Sequence, residues 1–280
     1  AGAADKAAPA GRVFTFGPLI HNPVALAELN RRGLSVLEAD GIPSLKKGDT
    51  VLIRAHGVPP ATDSALKASG ADVINATCPL VTKSQQRAAD FAGKGYTIIF
   101  AGDKNHGEVV GIQGCAEEAA RSQGLACRFL LVRSVEEARA LFPAGGALAV
   151  SSPATLPPAV LLSQTTFSIR EFEGISAVLK ERLPGIEIYS SICPATHERQ
   201  DALKRLCAQV DGVLVIGGRN SSNTARLFAT AQKLCPRAAL IERAEEIPPD
   251  FFALATVGIT AGASTPDSVI DAVERRLGGK

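Results

Sequence analysis

The sequence predicts an α/β protein built from three small, pseudo-repeated units with mainly parallel sheets around a shared centre. Three observations predict it. Short β-rich runs alternate with amphipathic helical stretches along the whole chain, the pattern of right-handed β-α-β units. The chain contains an internal repeat, and its most unusual loops all follow strands.

The expected strands occupy residues 12–17, 49–55, 71–77, 96–102, 159–165, 186–191, 212–218 and 255–260. Each is rich in Val, Ile, Leu, Phe or Thr and leads into a polar loop and then a helical stretch. The loops read GPLIHNP, HGVPP, TCP, GDKNHGE, QTTFS, SICP, GRNSSN and TAGASTP. They lie at the carboxyl ends of strands, the edge that carries the ligand crevice in open α/β sheets. Helix N-termini there direct free N–H groups at a ligand.

The repeat appears when the sequence is shifted by 115 residues: Cys78-Pro79 falls on Cys193-Pro194, Gly102 on Gly217, Lys104 on Arg219, Asn105 on Asn220 and His106 on Ser221. Aligning Gly17 with Gly102 brings in a third copy, in which His21 sits on His106. In that copy the partner of Cys78 falls about 7 residues before Ala1. The expected domains are therefore residues 1–77, N-terminally incomplete, 78–191 and 192–280, each of typical small-domain size.

Composition narrows the function. With 280 residues, 46% hydrophobic and 21% charged, the chain has the make-up of a globular protein. No apolar run reaches the ~18 residues of a membrane span. A net charge of +2, with Lys and Arg scattered, argues against a nucleic-acid surface and for a small anion at most. The six cysteines, Cys78, Cys115, Cys127, Cys193, Cys207 and Cys235, show no CxxC or zinc-type spacing, so a reducing cytoplasm is expected. The chain contains no Met and begins in the manner of a helix tail, so a targeting signal upstream, and with it an organelle, stays open.

Cys78 and Cys193 each precede a proline at a strand-to-helix junction. Proline suits the first helical position and a helix N-terminus favours thiolate, the form that ligates iron. The plainer alternative is a small residue packed in a tight turn, but recurrence in the repeat favours the ligand. Cys115, Cys127, Cys207 and Cys235 fall in or near helices and are not expected to substitute. Ser221, Ser222 and Asn223 open one helix and Ser264 precedes another; such residues cap helices, and two such loops beside His21 and His56 also suit a diphosphate. His106 and Glu108 stand two apart at a loop-helix junction, where Glu serves as a proton donor if burial raises its pKa, or else complements the helix dipole. His197 is expected to be a solvated helix residue.

Taken in order, GPLIHNP, RAHGV, ATCPLVTK, HGEVVG, SQTTFS, ICPATHERQ, GGRNSSNTARL and GITAGAS closely resemble the motifs of the LytB-type 4-hydroxy-3-methylbut-2-enyl diphosphate reductases. The resemblance runs nearly end to end. It implies a trefoil of three α/β domains around a [4Fe-4S] cluster held by one cysteine from each domain, two of which match Cys78 and Cys193. It places the substrate diphosphate on His21, His56, His106, Ser221, Ser222, Asn223 and Ser264, with Thr165 and Glu108 near the allylic hydroxyl. Glu108 is then the proton relay, and Glu108, Thr165 and His106 form the catalytic set. The implied reaction removes the hydroxyl as water and yields isopentenyl or dimethylallyl diphosphate, the last step of the non-mevalonate pathway. A protein donor such as ferredoxin or flavodoxin must supply the electrons, since the sequence holds no nucleotide-binding fingerprint.

The family's N-terminal cysteine segment lies ahead of the first residue here, and a stable cluster is not expected on two thiolates alone. A truncated or partly sequenced chain is the expectation, with an inactive fragment as its counterpart. The residues alone also admit a cluster-free module that binds a phosphorylated metabolite through the 218–223 and 260–266 loops. A zinc hydrolase using Cys78, Cys193 and a histidine is a further alternative.

Overall fold

A computed structural model of the chain describes residues 11–19, 23–143 and 158–279. Among them, eleven strands form three sheets, and the fold is α/β with parallel strands, as the alternation of apolar runs and helical stretches predicts. The first sheet has the order β2-β1-β3-β4, with β1 Val13–Phe16, β2 Leu34–Leu37, β3 Thr50–Ile53 and β4 Asp72–Asn75. Helices α1, Pro23–Arg31, and α2, Pro60–Ala68, follow β1 and β3. The second has the order β6-β5-β7-β8, with β5 Thr97–Ala101, β6 Arg128–Val132, β7 Ala159–Ser163 and β8 Glu187–Ile188. Its helices are α3 Pro79–Gly93, α4 Gly107–Ser122, α5 Val135–Leu141 and α6 Ile169–Arg182. The third has the order β10-β9-β11, with β9 Gly212–Ile216, β10 Arg237–Ile241 and β11 Val257–Ala261, and helices α7 Pro194–Cys207, α8 Ser222–Leu234 and α9 Asp267–Leu277.

The central strands β5, β7 and β9 are almost wholly apolar because helices cover both faces of the second and third sheets. In β5 all five residues are buried. Ile99 and Ala101 face Ala138 of α5 and Phe172, Ile175 and Leu179 of α6. Ile98 and Phe100 face Ala88 and Ala92 of α3 and Val109, Ile112 and Ala116 of α4. The third sheet does the same: Leu214 and Ile216 pack on Val269 and Val273 of α9, and Val213 and Val215 on Leu203 and Leu227 of α7 and α8. Each large side chain so buried contributes about 1.5–3 kcal/mol.

Three strands are not expected from the sequence: β2, β6 and β10. All three occupy the same place, the edge beside the first strand of their sheet. β6 and β10 even share one burial pattern, exposed at the leading Arg and fully buried only at the last residue. β6 and β10 carry four-residue apolar runs, 129–132 and 238–241, that sequence reasoning missed; in β2 the exposed Ser35 and Val36 break the signal, and its pairing is decided by the neighbouring strand. The strand expected over 186–191 is paired only at Glu187–Ile188.

The three sequence segments proposed as domains each carry one sheet. The chain divides into two compact units, Ala1–Gly17 with Val36–Cys193 and Pro18–Ser35 with Pro194–Lys280. No helix among the described residues is long and apolar enough to cross a membrane.

Candidate active site

The loop that follows β3 carries His56, and a row of glycines on α4 seats it. Gly107, Gly111 and Gly114 recur at the spacing that aligns residues on one helix face. A methyl group at Gly107 would lie 3.4 Å from His56 Cβ, one at Gly111 3.5 Å from the His56 carbonyl oxygen, and one at Gly114 2.6 Å from Pro59 Cβ. Three glycines in a helix cost about 1 kcal/mol each relative to Ala. Here they let residues 56–59 lie directly on the helix. Sequence reasoning missed this seat, although the 107-111-114 spacing is its signal.

The seat brings His56 to the start of α4. His106 is the N-cap, its Nδ1 accepting the N–H of Glu108 at 3.2 Å. Acceptance at Nδ1 leaves the proton of the neutral ring on Nε2. The His56 and His106 rings meet edge to face, 4.8 Å between centroids.

Glu108, in the first turn of α4, is 1% exposed. Its carboxyl takes two hydrogen bonds from one residue: the Thr165 N–H donates to Oε1 at 2.8 Å and the Thr165 hydroxyl to Oε2 at 2.7 Å. Burial pushes the Glu108 pKa up to about 7; the Thr165 bonds hold it down and the charge of Asp103 adds to the rise. Thr165 is positioned by its fully buried neighbour Gln164, whose Oε1 accepts the Asp103 N–H at 2.9 Å and whose Nε2 donates to Thr166 Oγ1 at 2.8 Å. The loops after β5 and β7 are thus tied into one polar constellation of half-buried His106 with buried Glu108 and Thr165.

Cys78 and Cys193 occupy matching backbone positions. The Cys78 N–H donates to Ala55 O at 3.0 Å and the Cys193 N–H to Thr165 O at 2.9 Å, each acceptor standing two residues beyond the strand, β3 or β7, at the same place in its sheet. Both thiols are free and half-buried, and each is followed by the proline that opens a helix, α3 or α7. The other four cysteines also carry free thiols: Cys115 lies within α4, where burial pushes it up to about 11, burial likewise raises Cys127 and Cys207, and Cys235 is buried at the end of α8. Among the described residues, no group of three or more His, Cys, Asp or Glu is placed to hold a metal ion.

In the unit that contains the third sheet, Ser221 caps α8, its hydroxyl oxygen accepting the Thr224 N–H at 3.4 Å. Ser222 is half-buried. Asn223 is buried, and its Nδ2 has no hydrogen-bond partner among the described residues. Such a buried donor costs about 1–3 kcal/mol unless a ligand uses it. Ser264 stands in the turn after β11, three residues ahead of α9. The loops that carry Asn223 and Ser264 are drawn together, since the Gly262 N–H donates to Ile216 O at 2.9 Å and the Thr265 hydroxyl to the same carbonyl at 2.9 Å. His197 is exposed on α7. His21 lies outside the described residues.

The family model described as LytB protein matches residues 2–278. The chain is 43% identical to the 4-hydroxy-3-methylbut-2-enyl diphosphate reductase of Treponema denticola over 95% of its own length and 87% of that protein. It is 36% identical to the enzyme of the same name from Aquifex aeolicus, over 95% and 86%. A solved structure of (E)-4-hydroxy-3-methyl-but-2-enyl diphosphate reductase aligns with a TM-score of 0.68 at 32% identity, covering 100% of this chain and 92% of that one. The reductase structure from Plasmodium falciparum aligns at 0.81 with 25% identity, covering 96% and 79%.

Proposed function

The chain belongs to the LytB protein family, and we propose that it reductively dehydroxylates 4-hydroxy-3-methylbut-2-enyl diphosphate to isopentenyl and dimethylallyl diphosphate, closing the non-mevalonate route to isoprenoid precursors. The observation that carries this reading is the Glu108–Thr165 pair, a buried carboxyl with its pKa near 7 held in a polar constellation beside two histidines.

Removing an allylic hydroxyl as water takes two electrons and two protons. A carboxyl with a pKa near 7 is protonated in a large share of molecules at neutral pH, so Glu108 can hand its proton to the departing hydroxyl. The Thr165 hydroxyl, bonded to the same carboxyl, orients the leaving oxygen and steadies the carboxylate left behind. His21, His56, His106, Ser221, Ser222, Asn223 and Ser264 are the proposed diphosphate ligands, and Asn223 Nδ2 is a ready donor for a phosphate oxygen. Burial around Glu108 excludes water that would level its pKa.

Cys78 and Cys193 would supply two of the thiolates that hold a [4Fe-4S] cluster: they are free thiols at matching strand ends, each ahead of a helix N-terminus. Such a cluster, when bound, supplies the electrons. A protein such as ferredoxin or flavodoxin is the proposed electron donor, the cytoplasm the proposed compartment, and residues 1–77, 78–191 and 192–280 the proposed domains.

The test is turnover of the allylic diphosphate under anaerobic conditions after loading with iron and sulfide. Glu108→Gln keeps the size of the side chain and removes its acid, so it should lower kcat by about 10²–10⁴-fold while retaining iron. Unchanged kcat in that variant, or no turnover by loaded protein that has the absorbance of a cluster, overturns the reading.

A further inference from the structure

The proposed function uses His56 and His106 but leaves unexplained why a cation is packed beside them. Arg54 stands just beyond β3, two residues before His56, and is half-buried. Its carbonyl accepts the Gly57 N–H at 3.0 Å, closing the turn that carries His56. Its guanidinium fills the space that two glycines leave. A methyl group at Gly17 would come within 2.9 Å of Arg54 Cζ, and one at Gly107 within 2.6 Å of Nη2.

These glycines belong to the two elements that flank the histidine loop. Gly17 directly follows β1 in the left-handed region, φ 69°, and its N–H donates to Leu37 O at 2.9 Å. Gly107 is the first residue of α4, between the cap His106 and Glu108. A planar guanidinium suits a slot between two backbone surfaces, where an ammonium on a flexible stem does not. Burial works against the charge on Arg54 and the carboxylate of Glu38 supports it.

We propose that Arg54 is a positioning residue: its guanidinium, wedged between the turn after β1 and the first turn of α4, sets the approach of the His56 ring to the His106 ring. The proposal rests on the reading of those two histidines as diphosphate ligands. It assigns Gly17 and Gly107 a role as well, that of leaving room for the wedge.

Two readouts test it, inorganic pyrophosphate affinity by calorimetry and the imidazole proton signals of His56 and His106 by NMR. Edge-to-face rings 4.8 Å apart shift each other's signals, so the shift reports the pairing and not the overall fold. Arg54→Gln should abolish that mutual shift and weaken pyrophosphate binding about tenfold, and Arg54→Lys should do the same. Gly107→Ala should match them, even though alanine is the better helix former. Combined with Arg54→Gln, it should cost less than the product of the two single losses, because the guanidinium atoms that the methyl group meets first are gone and only His56 Cβ at 3.4 Å remains.

Wild-type signals and affinity in Arg54→Gln, full function in Arg54→Lys, or losses that multiply in the double variant each overturn the proposal. Should Arg54→Gln fail to fold, Gly107→Ala carries both readouts. If the wild-type protein does not bind pyrophosphate, the diphosphate reading of the site falls, and the imidazole signals still decide what Arg54 does.

Discussion

The first turns of α4 and α8 occupy the same place in the repeat, and their chemistry diverges residue by residue. His106 caps α4 where Ser221 caps α8, and buried Glu108 stands where buried Asn223 does. The neighbouring loops also correspond. The Gln164 N–H donates to Ala101 O at 2.8 Å as the Gly262 N–H does to Ile216 O at 2.9 Å, and a turn follows in each, Phe167 N–H to Gln164 O and Thr265 N–H to Gly262 O, both 3.0 Å. By this correspondence the counterpart of Thr165 is Ala263. In one copy the loop threonine bonds both carboxyl oxygens of Glu108; in the other there is no hydroxyl, and Asn223 Nδ2 is left without a partner among the described residues. One scaffold thus builds a buried acid in one place and an unspent amide donor in the other, the first suited to moving a proton and the second to holding an anion.

The largest effect expected from breaking this comparison is at Glu108. Its folded pKa of about 7 lies above the ordinary value of 4.5, so the folded state holds the proton more tightly than the unfolded one. Stability from this group is complete below the ordinary value and is lost as pH rises through about 7, on the order of 3 kcal/mol in all. Denaturant melts of Glu108→Gln from pH 4 to 8 should lack that decline; a decline equal to wild type would mean that another group causes it.

Thr165→Ala gives the second copy the arrangement of the third. It strips both the carboxyl's hydroxyl partner and a restraint on its pKa, so stability should fall by about 1–3 kcal/mol and the Glu108 carboxyl should titrate higher by NMR. A Glu108 that titrates lower in this variant would refute the account of its bonds.

Gly114→Ala probes a second difference, since α8 has Ser222, Arg226 and Ala229 where α4 has its glycines. The new methyl group would meet Pro59 at 2.6 Å, and thermal melts should show a loss of about 1–3 kcal/mol despite the gain in helix propensity. A stabilised variant would mean that the loop on residues 56–59 shifts freely.

The smallest effect belongs to the reverse exchange. Ala263→Thr offers Asn223 the partner that Glu108 has, and should weaken pyrophosphate binding about fivefold; stronger binding would show that the new hydroxyl serves the anion instead.

Much of the fold is legible in the amino-acid sequence. The strands over 96–102, 159–165 and 212–218 are continuous apolar runs and lie where expected, because central strands of covered sheets advertise themselves. The edge strands are less plain: β2 is broken by exposed Ser35, and the runs over 129–132 and 238–241 are short, start after an exposed Arg and are fully buried only at their last residue. His106 and Glu108 are legible as a pair at a helix start, and helix geometry alone puts them there. That Glu108 is an acid with a pKa near 7 is not, because its partner Thr165 is 57 residues away and its desolvation comes from packing.

The sequence by itself determined the alternation of strands and helices, the repeated Cys-Pro junctions and the polar loops at strand ends, all of which are local patterns or copies of one. Only the tertiary structure decided which of those loops meet, that a row of glycines seats His56 beside His106, and that matching positions carry a bonded carboxyl in one copy and an unbonded amide in the other. The reason is physical: hydrogen-bond partners and desolvation depend on residues far apart in the chain, and they exist only once the chain has packed.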